Sequence, residues 1–165
     1  MIKILVAYYS RSGNTKKMAE LIAKGVKDEG GEAVLKKMDE VLPDELKEYD
    51  GLIFGSPTYY GQMAFQVKKL IDESVILHGK LEGKIGGAFT SSANLGGGNE
   101  TTIMSILQAF LIHGMVIQGI SKNDHYGPVA IGAPDKRAEK QCVDLGKRTV
   151  KLAKKICVIS APKSL

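Results

Sequence analysis

The chain has 165 residues, 44% hydrophobic and 25% charged, the balance of a soluble globular protein of about one domain. Its formal net charge of +5 raises nucleic acid, anionic surfaces and anionic ligands as partners. No apolar run approaches the ~20 residues of a membrane span, two cysteines are too few for an iron–sulfur cluster or a disulfide framework, and three histidines without an HExxH give no zinc site.

The elements follow in order. Residues 2–9, IKILVAYY, form a short, nearly all-apolar run, as expected of a strand buried on both faces. From Thr15 the period becomes helical. Met18, Leu21, Ile22, Gly25 and Val26 make one stripe, and Gly30 and Gly31 end it. GEAVLKKM reads as a second strand, with polar ends that suit a sheet edge, and residues 43–49 as a short helix. GLIFGS is a third, apolar strand. Ala64, Val67, Leu70 and Ile71 mark the helix after it. KIGGAFTS is a fourth strand, and Ile103, Ile106, Leu107, Phe110 and Leu111 give a strong helix that Gly114 stops. MVIQGI, residues 115–120, reads as the fifth strand. A last helix runs from about Asp135 to Lys155, with Cys142, Leu145, Thr149, Leu152, Ala153 and Ile156 inward. Its Lys147, Arg148, Lys151, Lys154 and Lys155 read as a solvated face. Cys142 and Cys157, both on this helix, are expected to be buried thiols. The N-terminal stretch lacks a small-residue cleavage site, so a cytoplasmic location is expected.

Strands alternating with helices imply an α/β fold with a doubly wound, five-stranded parallel sheet and helices on both faces. In such sheets ligands bind outside the carboxyl ends of the strands. The turns after strands one, three and four therefore carry the functional question.

After strand one comes Ser10-Arg11-Ser12-Gly13-Asn14-Thr15. A helix N-terminus offers unpaired N–H groups and partial positive charge. Hydroxyls, an amide and a glycine that lets the backbone curl make this turn a phosphate site. It is neither a Walker A loop nor GxGxxG. The plainer alternative is a Ser/Thr helix cap, for which one hydroxyl suffices. After strand three, Pro57 stiffens a turn in which Thr58 offers a hydroxyl, and Tyr59 and Tyr60 beside Gly61 present flat faces to a planar heterocycle. The alternative is tyrosines packed on the core. After strand four, Ser91, Ser92, Ala93 and Asn94 lead into Gly96, Gly97 and Gly98, where bare backbone can meet a ligand; the alternative is a flexible connector.

YYSRSGNT resembles the phosphate loop of flavodoxin-like proteins. FGSPTYYGQM, FTSSANLGGGNETT and HGMVI together are similar to the NAD(P)H:quinone oxidoreductases of the tryptophan-repressor-binding-protein type. That resemblance implies one flavodoxin-like domain over residues 1–165, sheet order 2-1-3-4-5, and FMN as cofactor. It implies that residues 10–15 hold the FMN phosphate and that Thr58, Tyr59 and Tyr60 flank the isoalloxazine. Ser91 to Gly97 would contact the ribityl chain and ring edge, and His113 would lie beside the ring as the candidate catalytic residue; the plainer alternative for His113 is to cap the helix end before Gly114. The partners implied are NADH or NADPH, a quinone or other small acceptor, and further copies of the chain in a dimer or tetramer. The chain is shorter than typical members, in segments that build the tetramer and roof the site. Tyr59 stands where the family has an arginine.

Residues 91–102 contain no aromatic side chain and the chain has no tryptophan, so one ring face is expected to stay open for a nicotinamide and then a quinone. The alternative function is a one-electron carrier of the flavodoxin type. His125 and Tyr126 are positioned in sequence to close the pocket, and His78 reads as a surface residue. No helix-turn-helix cue and no basic stripe interleaved with aromatics points to nucleic acid.

Overall fold

The computed structural model describes residues 1–160. β1 (Lys3–Tyr8) is flanked by β2 (Glu32–Lys37) and β3 (Gly51–Pro57), and β3 by β4 (Ile85–Ser92), all parallel. With β5 (Val116–Ile117) on the far side of β4, the order β2-β1-β3-β4-β5 is the doubly wound one. β1 and β3 are buried because they sit inside the sheet with helices on both faces. β2 alternates between exposed and half-buried residues because only one neighbour covers it.

The fifth position differs from expectation. Of residues 115–120, only β5 (Val116–Ile117) pairs, with Ile85 and Gly86 at the start of β4. The chain leaves the sheet after Ile117 and returns as β6 (Val129–Ile131), which pairs with Thr90 to Ser92 at the end of β4. Gly119 and the polar run Ser121-Lys122-Asn123-Asp124-His125 have too little apolar side chain to hold an edge strand together. The segment at residues 43–49 also differs: Pro43–Glu48 is a 3-10 turn, and two more lie at Met38–Glu40 and Ser74–Leu77.

Helices cover the two faces unequally. α1 (Asn14–Asp28) and α4 (Lys136–Ser160) share one apolar core with the sheet, through Met18, Ile22, Val26, Cys142, Leu145 and Val150. They pack backbone to backbone. A Cβ on Gly25 would stand 2.1 Å from the Val143 carbonyl oxygen, and one on Gly146 2.2 Å from that of Ile22. α2 (Phe65–Glu73) and α3 (Asn99–Ile112) cover the other face, where Phe54 meets Phe110 edge-on at 4.9 Å between ring centroids. This second face stays partly uncovered. Phe65, Val75, Ile76, Leu111 and Ile112 are exposed. Cys142 is buried as expected, but Cys157 is exposed, because it falls on the outer side of the last turns of α4. Arg148 is half-buried rather than solvated.

Among the described residues no helix is long and apolar enough to cross a membrane, and no cluster of three metal-ligating side chains occurs.

Candidate functional site

The three turns meet at the carboxyl edge of the sheet. In the first, α1 starts at Asn14 with Gly13 as its cap, at φ 91°, where an L side chain would be strained. No side chain caps this helix. The first helical bond runs from the Lys17 N–H to the Gly13 carbonyl at 3.0 Å. The N–H groups of Asn14, Thr15 and Lys16 thus have no partner within the helix. The hydroxyls do other work than capping. Ser10 Oγ accepts from the Gly13 N–H at 3.1 Å and holds the curl of the turn. Thr15 Oγ1 and Ser91 Oγ share a buried bond of 3.1 Å that ties the first turn to the third. The plain-cap alternative is not what these residues do.

The second turn is a tight reversal. Tyr59 and Gln62 exchange two backbone bonds of 3.0 Å, with Tyr60 at φ 50° and Gly61 at φ 76°. A tyrosine in this left-handed region costs on the order of 1–3 kcal/mol. Its ring is fully exposed. Thr58 is fixed to the third turn by its N–H to the Ser91 carbonyl at 2.9 Å and by its hydroxyl to Thr90 Oγ1 at 3.0 Å. The third turn is closed by its own polar groups. Ser92 Oγ donates to the Asn94 carbonyl, Asn99 Nδ2 donates to Ser92 Oγ, and Thr102 Oγ1 donates to the Gly98 carbonyl. Gly98, at φ 92°, lies so close to the second turn that a Cβ there would be 2.5 Å from Gly61 Cα. Thr101 Oγ1 donates across the same contact to the Gly61 carbonyl at 2.7 Å.

Between the turns is a cavity of about 360 Å³. The first turn contributes Arg11, Ser12, Asn14 and Thr15; the second Pro57, Thr58 and Tyr59; the third Ser91, Ser92 and Ala93. A neighbouring cavity of about 490 Å³ shares Arg11 and Ser12, and adds Ser10, Gly13, Tyr9, Lys16, Lys37 and Asp39. Tyr9 and Tyr59 stack edge-on with centroids 6.4 Å apart. Burial, and then proximity to Tyr9, push the Tyr59 hydroxyl above its ordinary pKa, so it stays a neutral donor.

Several expected residues lie elsewhere. His113 caps α3 at the opposite edge, where Val116 pairs with Ile85 at the start of β4. The cavity is at Ser91, six residues along β4 and thus roughly 20 Å away at ~3.3 Å per residue. α3 runs antiparallel to the strands, so a residue at its end cannot reach a site at its start within one chain. His113 Nε2 is instead 2.8 Å from Ser74 Oγ, and its Nδ1 is buried without a partner among the described residues. Burial, and next the charge of His78, lower its pKa. Asn94, Gly96 and Gly97 occupy the exposed crest of the third turn and do not line the cavity. Tyr60 and Gly61 form the reversal beside it. His125 closes its own loop through Nδ1 and the Ile120 carbonyl, and His78 is exposed. The sequence reading missed Gly132, which lines the cavity and donates its N–H to the Ser92 carbonyl at 2.8 Å. Taking residues 115–120 as the whole fifth strand hid the true carboxyl end at Ile131, where VAIGA would have marked it. It also missed Tyr9, Lys16 and Lys37, which belong to neighbouring elements rather than to the turn motifs.

The family model for flavodoxin matches residues 6–89. A protein named flavodoxin from Aquifex aeolicus is 42% identical over 157 residues, covering 90% of this chain and 85% of its own. An NAD(P)H dehydrogenase (quinone) from Archaeoglobus fulgidus is 33% identical, covering 95% of this chain and 100% of its own. Among solved structures, the WrbA-like flavodoxin from Agrobacterium tumefaciens superposes with a TM-score of 0.81 at 28% identity, over 94% of this chain and 99% of that one. The sheet order, the three turns at its carboxyl edge and these matches agree: the chain belongs to the flavodoxin-like family of flavin-binding proteins.

Proposed function

We propose that the chain binds FMN and passes reducing equivalents from NADH or NADPH to a quinone or another small acceptor, as an FMN-dependent NAD(P)H:quinone oxidoreductase. The observation that carries the reading is the uncapped start of α1, whose free N–H groups adjoin a cavity lined by Ser12, Asn14 and Thr15. A phosphate monoester fits this donor set, which contains hydroxyls and amides but no lysine-bearing phosphate-loop motif. The flavin, when bound, supplies the hydride and electron chemistry.

The chain's residues bind and orient. The first turn holds the phosphate. Thr58, Ser91 and Ser92, tied to one another and to the first turn, form a fixed wall beside the rest of the cofactor, and Ala93 and Gly132 leave room for it. Tyr59 gives one flat wall, braced edge-on by Tyr9. The third turn brings no aromatic ring to the other side, which leaves space for a nicotinamide and then an acceptor to stack in turn. Arg11, Lys16 and Lys37 at the mouth favour an anionic dinucleotide. His113 has no role in this site within one chain. The exposed Phe65, Val75, Ile76, Leu111 and Ile112 suit a homo-oligomer, and a cytoplasmic location goes with this reading.

A one-electron carrier is the second reading, favoured by the 42% identity to a protein named flavodoxin. Anaerobic mixing separates the two. The FMN-loaded protein should bleach within seconds on addition of NADH or NADPH and recolour with benzoquinone. Persistence of the oxidised spectrum with both nucleotides would exclude the enzyme and leave the carrier.

A further inference from the structure

The break in the fifth strand creates a second concave site. Residues 118–128 leave the sheet and lie against α4. They are pinned there by the Arg137 guanidinium, which donates to Asp124 Oδ2 and to the Val129 carbonyl. The Ile120 N–H and His125 carbonyl close the loop at 3.1 Å. Beneath it a cavity of about 530 Å³ opens between residues 119–123 and the middle of α4. That is within the ~300–1,000 Å³ of small-molecule sites.

Its charge is one-sided. Lys122, Lys147, Arg148 and Lys151 line it, with Asp144 as the one acidic group. Lys151 also reaches Glu29, at 3.6 Å. Arg148 is the unusual member. It is half-buried, its Nε is shielded from solvent, and that Nε has no hydrogen-bond partner among the described residues. Burial lowers its pKa and only the charge of Asp144 opposes this. A buried donor left unmatched is costly, and more so when charged. With that Nε already unmatched, the guanidinium is held there at lower cost if an anion meets its remaining donors at the cavity wall.

We propose that this cavity binds a phosphorylated small molecule, with the Arg148 guanidinium taking the phosphoryl group and Lys122 and Lys147 balancing its remaining charge. A planar fork beside two ammonium groups matches a doubly charged phosphoryl better than a single carboxylate. The concave lining, with Arg148 half-buried in it, suits a small anion rather than the flat rail of a nucleic-acid duplex. The site shares no residue with the cavity at the carboxyl edge, so it stands whether or not that cavity holds FMN.

Calorimetric titration of the purified protein with inorganic pyrophosphate tests this. Saturable binding is expected that survives Ser12→Glu, which disables the first turn, and in that background weakens about tenfold or more when Arg148→Gln is added, the loss of one charge-assisted pair. Lys122→Gln, on the exposed loop, should weaken it several-fold without touching the helix core, and covers the case in which the Arg148 variant fails to fold. Absence of saturable binding, equal affinity in the Arg148 and Lys122 variants, or loss of all binding in Ser12→Glu would overturn the proposal. So would a short DNA duplex that binds more tightly than pyrophosphate with the same dependence on Arg148, since that describes a nucleic-acid surface.

Discussion

The first and third turns lie side by side and are built to opposite ends. In the first, the helix start is uncapped and its side-chain oxygens leave the N–H groups of residues 14–16 without a partner among the described residues. In the third, the polar groups are used up internally, by Ser92, Asn99, Thr101 and Thr102. The difference assigns their tasks. The first turn has donors to give to an anion. The third is a strut that keeps its own shape, holds the second turn at Gly61, and stands over the cavity without a ring of its own.

Four substitutions sharpen that contrast, from the largest effect down. Gly98→Val puts a side chain into a left-handed residue and against Gly61 Cα, so the two turns must part. A loss of roughly 3 kcal/mol in urea unfolding is expected. A loss under about 0.5 kcal/mol would show that the strut yields easily. Ser12→Glu places a carboxylate where the phosphate should sit. FMN affinity should fall about 100-fold, about 2.7 kcal/mol, at unchanged unfolding midpoint, by quenching of flavin fluorescence. Thr101→Val removes the bonds to the Gly61 and Gly98 carbonyls. It should cost about 1–2 kcal/mol of stability yet barely change phosphate affinity, the reverse of the Ser12 result.

The smallest effect is at the far end of α3. Burial and His78 disfavour the charged form of His113 in the folded chain, so its pKa lies below the ordinary 6.5. The unfolded chain therefore takes up the proton first. Its contribution to stability is complete above about pH 6.5 and is lost as pH falls from there towards the folded pKa. His113→Gln should flatten that slope in thermal melts between about pH 7 and 5 while FMN affinity stays the same. A change in FMN affinity would instead return His113 to the site.

The alternation of strands and helices and the first turn are legible in the sequence, because both are local, whereas the sheet order rests on the family resemblance. A fully apolar run, a helical stripe and Ser10 to Thr15 each lie within a few residues of one another. His113 was misplaced for the opposite reason. Its role was read from its phrase in the chain, whereas α3 carries it the length of β4 away from the turn that precedes the helix. The split of the fifth strand is hidden because MVIQGI begins and ends on strand-forming residues, and only pairing with β4 decides where it stops. Gly132 was lost with it. The glycines at 96–98 look alike in sequence, but only Gly98 meets another turn; a Cβ on Gly97 would come 3.0 Å from the Asn94 carbonyl oxygen of its own turn, and Gly96 stands in solvent.

The most direct test compares FMN with riboflavin, which is the same ring and ribityl chain without the phosphate. If the uncapped start of α1 is the anchor, FMN binds at least about 100-fold more tightly, the worth of two charge-assisted bonds, and Ser12→Glu erases most of the gap. Equal affinity for the two, or a gap that Ser12→Glu leaves intact, would contradict the account.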